Sequence, residues 1–188
     1  MAKKNSETRG AMEMSMGTIV TIVLLVSVLV LGLVLVRSIF SSAKGVVDLT
    51  DQQLRGEVEK LFSEEKKLVI YPGTRYVDIK QGKTDGVGIG IKNLNRGTTE
   101  EDKFSYTVEV SDPDLRRKCS VTEKDVEGWI VTGRQEINIP LPVGEFSSQK
   151  VLFEIPVGAP LCTFRMRVNV KDGTSSYATD FFDVKIVS

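Results

Sequence analysis

Residues 16–36 read MGTIVTIVLLVSVLVLGLVLV, a run of 21 residues without a charged side chain. At about 1.5 Å of rise per residue, a helix of this length matches the roughly 30 Å hydrocarbon core of a bilayer. A helix also satisfies its backbone donors and acceptors within one segment, as lipid requires. The run therefore predicts an N-terminal transmembrane α-helix, which we place with its flanks at residues 11–45.

Charges on either side of this run predict its orientation. The first ten residues carry Lys3, Lys4 and Arg9 against Glu7. The far side has Arg37 and Lys44 and then turns acidic at Asp48 and Asp51. Positive charge favours the cytoplasmic side, so we expect a single-pass protein of the cell membrane with an extracellular C-terminal domain. The apolar run is longer than that of a secretory signal peptide, which argues against its removal.

The composition argues against most kinds of catalysis. Lys plus Arg and Asp plus Glu both number 25, and histidine is absent. The lack of histidine excludes Ser-His-Asp and Cys-His catalysis and zinc sites that use histidine. Zero net charge gives no reason to expect nucleic acid. We therefore predict no enzyme, no cofactor, no metal ion and no small-molecule substrate.

The chain has two cysteines, Cys119 and Cys162, and both follow the apolar run. An even pair in an exported domain favours a disulfide, because the outside of the cell is oxidising. The alternative is a pair of free buried thiols.

Residues 46–68 carry a narrow apolar stripe in a charged stretch. Thr50 and Gln53 form a capping-box pattern that predicts the start of a helix. We interpret the segment as an amphipathic helical stalk. Two arrangements are open: the stalk packs against neighbouring copies, or it packs on its own β domain. The apolar residues spaced seven apart are Val47, Leu54, Leu61 and Leu68.

Residues 69–188 change to the two-residue period of β-strands. About seven short strands separated by turns predict an all-β immunoglobulin-like sandwich. The long strand that begins at Cys162 is expected to be central, with Trp129 filling part of the core. The predicted strands centre on 76–80, 87–91, 104–110, 137–141, 151–155, 162–170 and 182–186.

Polar and small residues of this domain have simple interpretations. Gly86, Gly88 and Gly90 predict a strand with one bare face, open to close approach by a neighbouring backbone, or else a locally weak strand or bulge. The basic row at Arg165 and Arg167 is expected to pair across strands. Four carboxylates are expected to serve turns rather than calcium, namely Asp112, Asp114, Asp172 and Asp180.

The N-terminus resembles a known family. Arg9-Gly10-Ala11, followed by Gly17-Thr18-Ile19-Val20 and the Val/Leu-rich run, is similar to the class III signal region of archaeal type IV pilins and archaellins. The resemblance implies that residues 1–10 are a basic leader, cut after Gly10 by a prepilin-type peptidase, so that Ala11 begins the mature chain. It also implies a filament of identical subunits joined through the N-terminal helix.

Glu13 is the acidic residue at the head of this helix. In bacterial type IV pilins the acid lies at the fifth mature position, which is Ser15 here, whereas Glu13 is the third. Glu13 can pair with the α-amino group of a neighbouring subunit and suits the positive end of the helix dipole, or it lies in the headgroup layer.

We therefore expect a pilin-like subunit of a surface filament, with a structural or adhesive role. One alternative is a membrane-anchored protein that displays an immunoglobulin-like binding domain without polymerising. The other is a carboxylate-dependent surface enzyme.

Overall fold

The computed structural model describes residues 8–41, 45–95 and 102–188. The chain divides into two compact units, residues 1–44 and residues 45–188. The first unit contains one long helix, α1 (Thr8–Ser41). Residues 1–7 of the predicted leader lie outside the described residues.

The second unit begins with short helical elements. A single 3-10 turn (Val46–Asp48) precedes α2 (Asp51–Leu61), and two further short helices are α3 (Leu115–Cys119) and α4 (Glu123–Gly128). The capping box at the start of α2 is confirmed: Thr50 Oγ1 accepts from Gln53 N at 3.3 Å, and Gln53 Oε1 accepts from Thr50 N at 3.0 Å. The helix ends at Leu61, so it is shorter than the predicted segment.

Within the described residues the second unit has nine strands in two sheets. One sheet has the order β1-β3-β7-β5 and the other the order β2-β9-β8-β4-β6. Neighbouring strands are antiparallel except for the parallel pair β2–β9. The strands are β1 (Leu68–Tyr71), β2 (Tyr76–Lys80), β3 (Thr84–Lys92), β4 (Asp102–Val110), β5 (Ile130–Thr132), β6 (Gln135–Leu141), β7 (Phe146–Glu154), β8 (Thr163–Asp172) and β9 (Ser175–Val187).

The seven predicted strands are confirmed, and β8 is the central strand of its sheet. The prediction missed β1, which reads LVIY and does not alternate because both of its faces are covered. It also missed β5, which has only three residues. Asp85-Gly86 is a dipeptide that favours hairpin turns, and a turn predicted there from the sequence is wrong. Both residues lie within β3, and the chain turns at Gln81 and Gly82 instead.

Aromatic side chains fill the space between the two sheets. Phe153 of one sheet meets Phe182 of the other edge to face, with ring centroids 6.2 Å apart. Phe104 and Phe164 are also fully buried there. Trp129 is only partly buried and packs at the margin of this core, 6.2 Å from the Phe164 ring. Burial of each such ring contributes about 1.5–3 kcal/mol to the stability of the sandwich.

Helix α2 forms a third layer on the outer face of β3. A Cβ placed at Gly88 would lie 2.3 Å from Leu54 Cδ1, and one at Gly90 would lie 2.2 Å from Val58 Cγ1. The bare face of β3 therefore accommodates a helix of the same chain. This packing answers the alternative left open by the sequence, because Leu54 and Val58 are buried against their own β domain.

The seven-residue stripe does not extend beyond this contact. Val47 is 41 % exposed, and Leu68 belongs to β1 rather than to a helix. The residues spaced seven apart therefore belong to three different elements: the 3-10 turn, α2 and β1.

Candidate functional site

Residues 17–34 of helix α1, whose side chains the structure describes, form an apolar surface on all sides. Gly17–Val34 has a mean hydropathy of 2.8 and is 0 % buried within the structure, so this helix is long and apolar enough to cross a membrane. Two of its hydroxyl groups form hydrogen bonds within the helix: Thr21 Oγ1 donates to Gly17 O and Ser27 Oγ donates to Val23 O, both at 2.7 Å. Such back-bonding allows Ser and Thr to enter an apolar environment without an unsatisfied donor.

The three residues predicted for processing and assembly lie together at the head of this helix. Gly10, Ala11 and Glu13 all fall within α1, and helical backbone continues from them into the apolar segment. A cut after Gly10 would therefore leave a helix that begins directly at Ala11.

The predicted disulfide between Cys119 and Cys162 is confirmed. The Cα atoms are 5.4 Å apart, and the bridge joins the last residue of α3 to the residue before β8. The two cysteines are separated by 43 residues, and closing a loop of that length stabilises a fold by about 4 kcal/mol in the chain-entropy model. The bridge thus attaches helix α3, which follows β4, to the start of the central strand β8.

A cleft of about 600 Å³ lies beside the disulfide. Its charged side chains neutralise one another. Arg165 donates to both carboxylate oxygens of Asp183, at 2.8 and 3.1 Å, and Lys118 Nζ donates to both oxygens of Asp112, at 3.1 and 3.0 Å. Paired charges of this kind orient the cleft wall and offer no activated nucleophile.

Asp112 is the buried carboxylate of this cleft, with 7 % of its surface exposed. Burial by itself raises its pKa, but hydrogen bonds from Lys118 Nζ and from Asp114 N at 3.0 Å outweigh burial, so the pKa lies below its ordinary value. Asp112 therefore remains ionised and holds the turn before α3, which agrees with the predicted turn role.

The other charged residues singled out from the sequence form ion pairs or hydrogen bonds within the second unit. Arg167 pairs with Glu109 at 3.1 Å. The turn role expected for Asp180 was wrong, because β9 continues through this residue, and Asp180 pairs there with Arg75 at 2.9 Å. Asp172 accepts a hydrogen bond from Asn95 Nδ2 at 2.8 Å. Among the residues that the structure describes, no three His, Cys, Asp or Glu side chains converge as a metal site would require. The carboxylates are thus engaged in structural pairs.

A second cleft of about 420 Å³ lies at the β5–β6 edge of the sandwich. Tyr106, Lys150 and Asp51 are among its lining residues. Desolvation by burial raises the pKa of Tyr106 well above its ordinary value, so the phenol stays neutral. Lys150 donates to Leu49 O at 2.6 Å and pairs with Asp51 at 3.0 Å, which ties the start of α2 to β7. This cleft is therefore a junction between layers.

Sequence reasoning missed one surface feature, an apolar turn between β7 and β8. Val157 is 87 % exposed and Leu161 is 61 % exposed. The available indication was the composition of residues 156–161, PVGAPL, which is entirely apolar although it lies between two strands. Loops are normally polar, so this composition was informative.

Comparisons with known proteins give a likeness of fold only. No protein-family model and no curated protein matches the chain. The CARDB domain of a Pyrococcus furiosus protein, solved in complex with di-metal ions, is 12 % identical over 64 % of this chain and 92 % of that one, with a TM-score of 0.38. The ASH/PapD-like domain of human CEP192 is 11 % identical over 68 % of this chain and 92 % of that domain, also with a TM-score of 0.38.

A third similar structure is a family 123 glycoside hydrolase from Clostridium perfringens, at 10 % identity and a TM-score of 0.33. The match covers 59 % of this chain and 22 % of the hydrolase. At these scores the likenesses carry no argument about activity or partners. The chain is described by its own features: a β-sandwich of two sheets with one disulfide, preceded by an apolar helix.

Proposed function

We propose that this chain is a pilin-like subunit of a surface filament, with a structural or adhesive role rather than a catalytic one. Helix α1 holds the precursor in the cell membrane and later packs with the same helix of other copies. The immunoglobulin-like sandwich lies outside the cell and coats the filament. A prepilin-type peptidase removes residues 1–10.

The observation that carries this proposal is the fully exposed apolar surface of Gly17–Val34. An all-apolar helix needs lipid or other apolar helices around it. Packing between helices in lipid depends on close approach, which small residues permit. A Cβ at Gly17 or Gly32 would meet nothing within 4 Å, so both positions are open for a neighbouring helix.

The head of α1 supports the same assembly. Cleavage after Gly10 would create a positive α-amino group on Ala11, two residues before Glu13. In a staggered stack of helices, the carboxylate of one copy can pair with the amino group of the next. This pairing would neutralise both charges in an apolar filament core, where an unpaired charge is costly.

The second candidate function is a membrane-anchored display domain that does not polymerise. The observation that favours it is the packing of α2 on its own sheet, since Leu54 and Val58 are 1 % and 0 % exposed. Because Leu54 and Val58 are buried within their own unit, α2 does not offer them to a neighbouring copy. A display domain would need only the anchor and the sandwich.

The test is the N-terminal sequence and intact mass of the full chain, isolated from cells that express a prepilin-type peptidase. We would compare the unsubstituted chain with Gly10→Leu and with the matched control Gly17→Leu. The peptidase of the resembled family cuts after the glycine that Gly10 matches, whereas Gly17 lies seven residues further along the helix. We expect a start at Ala11 for the unsubstituted chain and Gly17→Leu, and a start at Met1 or Ala2 for Gly10→Leu.

Filament formation is then examined by electron microscopy of the surface fraction. Filaments that are lost with Gly10→Leu support the pilin-like function. A start at Ala11 without filaments favours the display domain. An unprocessed chain in every case contradicts the resemblance and leaves a plain membrane anchor.

A further inference from the structure

The apolar turn between β7 and β8 is held rigidly in an exposed position. Ile155 and Ala159 are buried, at 0 % and 7 % exposure, and Gln81 Nε2 donates to Ala159 O. Gly82 N donates to Ile155 O at 2.8 Å, which joins the turn to the β2–β3 connection. Val157 is therefore exposed in a turn whose flanking residues are buried and hydrogen-bonded.

The polypeptide enters the second unit at the same end of the sandwich. A Cβ at Gly45 would lie 2.3 Å from Asp85 Oδ2, and Asp85 is the second residue of β3. Lys83 lies two residues before Asp85 and contacts the apolar turn, because Ile155 N donates to Lys83 O at 3.1 Å. The entry point and the apolar turn thus share the end at which β3 starts and β7 finishes.

Exposed lysines surround this turn. Lys80 and Lys83 flank the β2–β3 connection, and Lys185 lies opposite Thr163 at the start of β8. Within the described residues none of the three has a carboxylate at ion-pair distance, so their charges are free for an outside partner. Exposed Glu154 lies at the same end and limits the net attraction. Insertion of apolar side chains is therefore the main contribution.

We propose that residues 155–161 form a lipid-contact site, in which Val157 and Leu161 insert into the headgroup region of the membrane that holds α1. This inference rests on the anchoring role in the proposed function. A protein segment attached close to a bilayer gains by burying exposed apolar side chains about 5–10 Å into the headgroup and acyl boundary. Nearby lysines add attraction to anionic lipids.

The test uses tryptophan as a depth reporter in the full chain, reconstituted into phosphatidylcholine vesicles with and without brominated acyl chains. Val157→Trp is the reporter variant, and the unsubstituted chain gives the baseline of Trp129, its single tryptophan. Val143→Trp is the matched control, because Val143 lies in the β6–β7 turn at the other end of the sandwich and is 46 % exposed. Leu161→Trp provides a second reporter if Val157→Trp does not fold.

For Val157→Trp, we expect the emission maximum to shift to shorter wavelength and the fluorescence to fall with brominated lipid. For Val143→Trp, we expect no more quenching than in the unsubstituted chain. Adding anionic phosphatidylglycerol should increase the loss. Equal quenching of the two reporters would overturn the inference, and so would a blue shift without quenching, which indicates cover by a second copy. Flotation of the chain with the vesicles reports separately on α1. If the chain floats with the vesicles but Val157→Trp is not quenched, the contact site is refuted and the anchor is not. If the chain does not float, both are refuted.

Discussion

Replacing Leu54 and Gly88 together should destabilise the second unit less than the sum of the two single substitutions. The Cβ of an alanine at position 88 would lie 2.3 Å from Leu54 Cδ1 and 3.3 Å from both Cδ2 and Cγ. Leu54→Ala deletes all three of those atoms. The added methyl group of Gly88→Ala then occupies part of the space that Leu54 has left.

The magnitudes follow from these contacts. Leu54 is 1 % exposed, so Leu54→Ala should cost about 2–5 kcal/mol through lost burial and a cavity. Gly88→Ala should cost about 1–3 kcal/mol through overpacking, reduced by about 0.4–1 kcal/mol because glycine makes the unfolded chain more flexible. Since the double variant avoids the overpacking, its destabilisation should fall short of the sum by about 1–3 kcal/mol.

The assay is urea unfolding of the full chain in detergent micelles, followed by the fluorescence of Trp129, which lies in the second unit. The control pair is Leu54→Ala with Gly128→Ala, because a Cβ at Gly128 would meet nothing within 4 Å. That pair should be additive within about 0.5 kcal/mol. Additivity of the Leu54 and Gly88 pair would refute the packing of α2 on β3.

Three further predictions concern other parts of the second unit. Replacing Cys119 and Cys162 by alanine should lower the free energy of unfolding by about 4 kcal/mol, and an unchanged urea midpoint would contradict the assigned bridge. The pKa of Asp112 is lowered by folding, so its carboxylate stabilises the fold above its ordinary pKa of 3.8, and this stabilisation is lost as the pH falls below that value. Asp112→Asn should therefore flatten the acid limb of a stability-against-pH curve. Thr50→Ala removes the cap of α2 and should cost about 0.5–2 kcal/mol in the same urea assay, whereas Thr50→Ser should retain most of the stability.

Strand prediction succeeded where a strand has one buried and one solvated face. In β8, buried Phe164, Met166 and Val168 alternate with Arg165 and Arg167, so the sequence shows the two-residue period directly. β1 does not show this period: Leu68 and Ile70 enter the core between the sheets while Val69 packs under α2. A third layer of structure therefore removed the pattern on which recognition depends.

The glycines of β3 illustrate the same limit. Their spacing indicated a bare strand face, but it did not indicate what covers that face. Leu54 and Val58 fill it in the folded chain, and they are more than 30 residues away in sequence. The exposed turn at Val157 was missed for the complementary reason, since apolar composition alone does not show whether a residue faces the core or the solvent.

The local features of this protein could be predicted from its amino-acid sequence. Each of these features depends on residues within a few positions of one another in the chain. They are the apolar helix, the capped start of α2, the alternating strands and the residue types of the proposed leader. The tertiary structure was needed to show that Cys119 and Cys162 are bridged rather than free, that α2 lies on β3, and that the apolar turn shares an end with Gly45. These features depend on contacts between distant residues, which are set by how the layers pack and not by any local period.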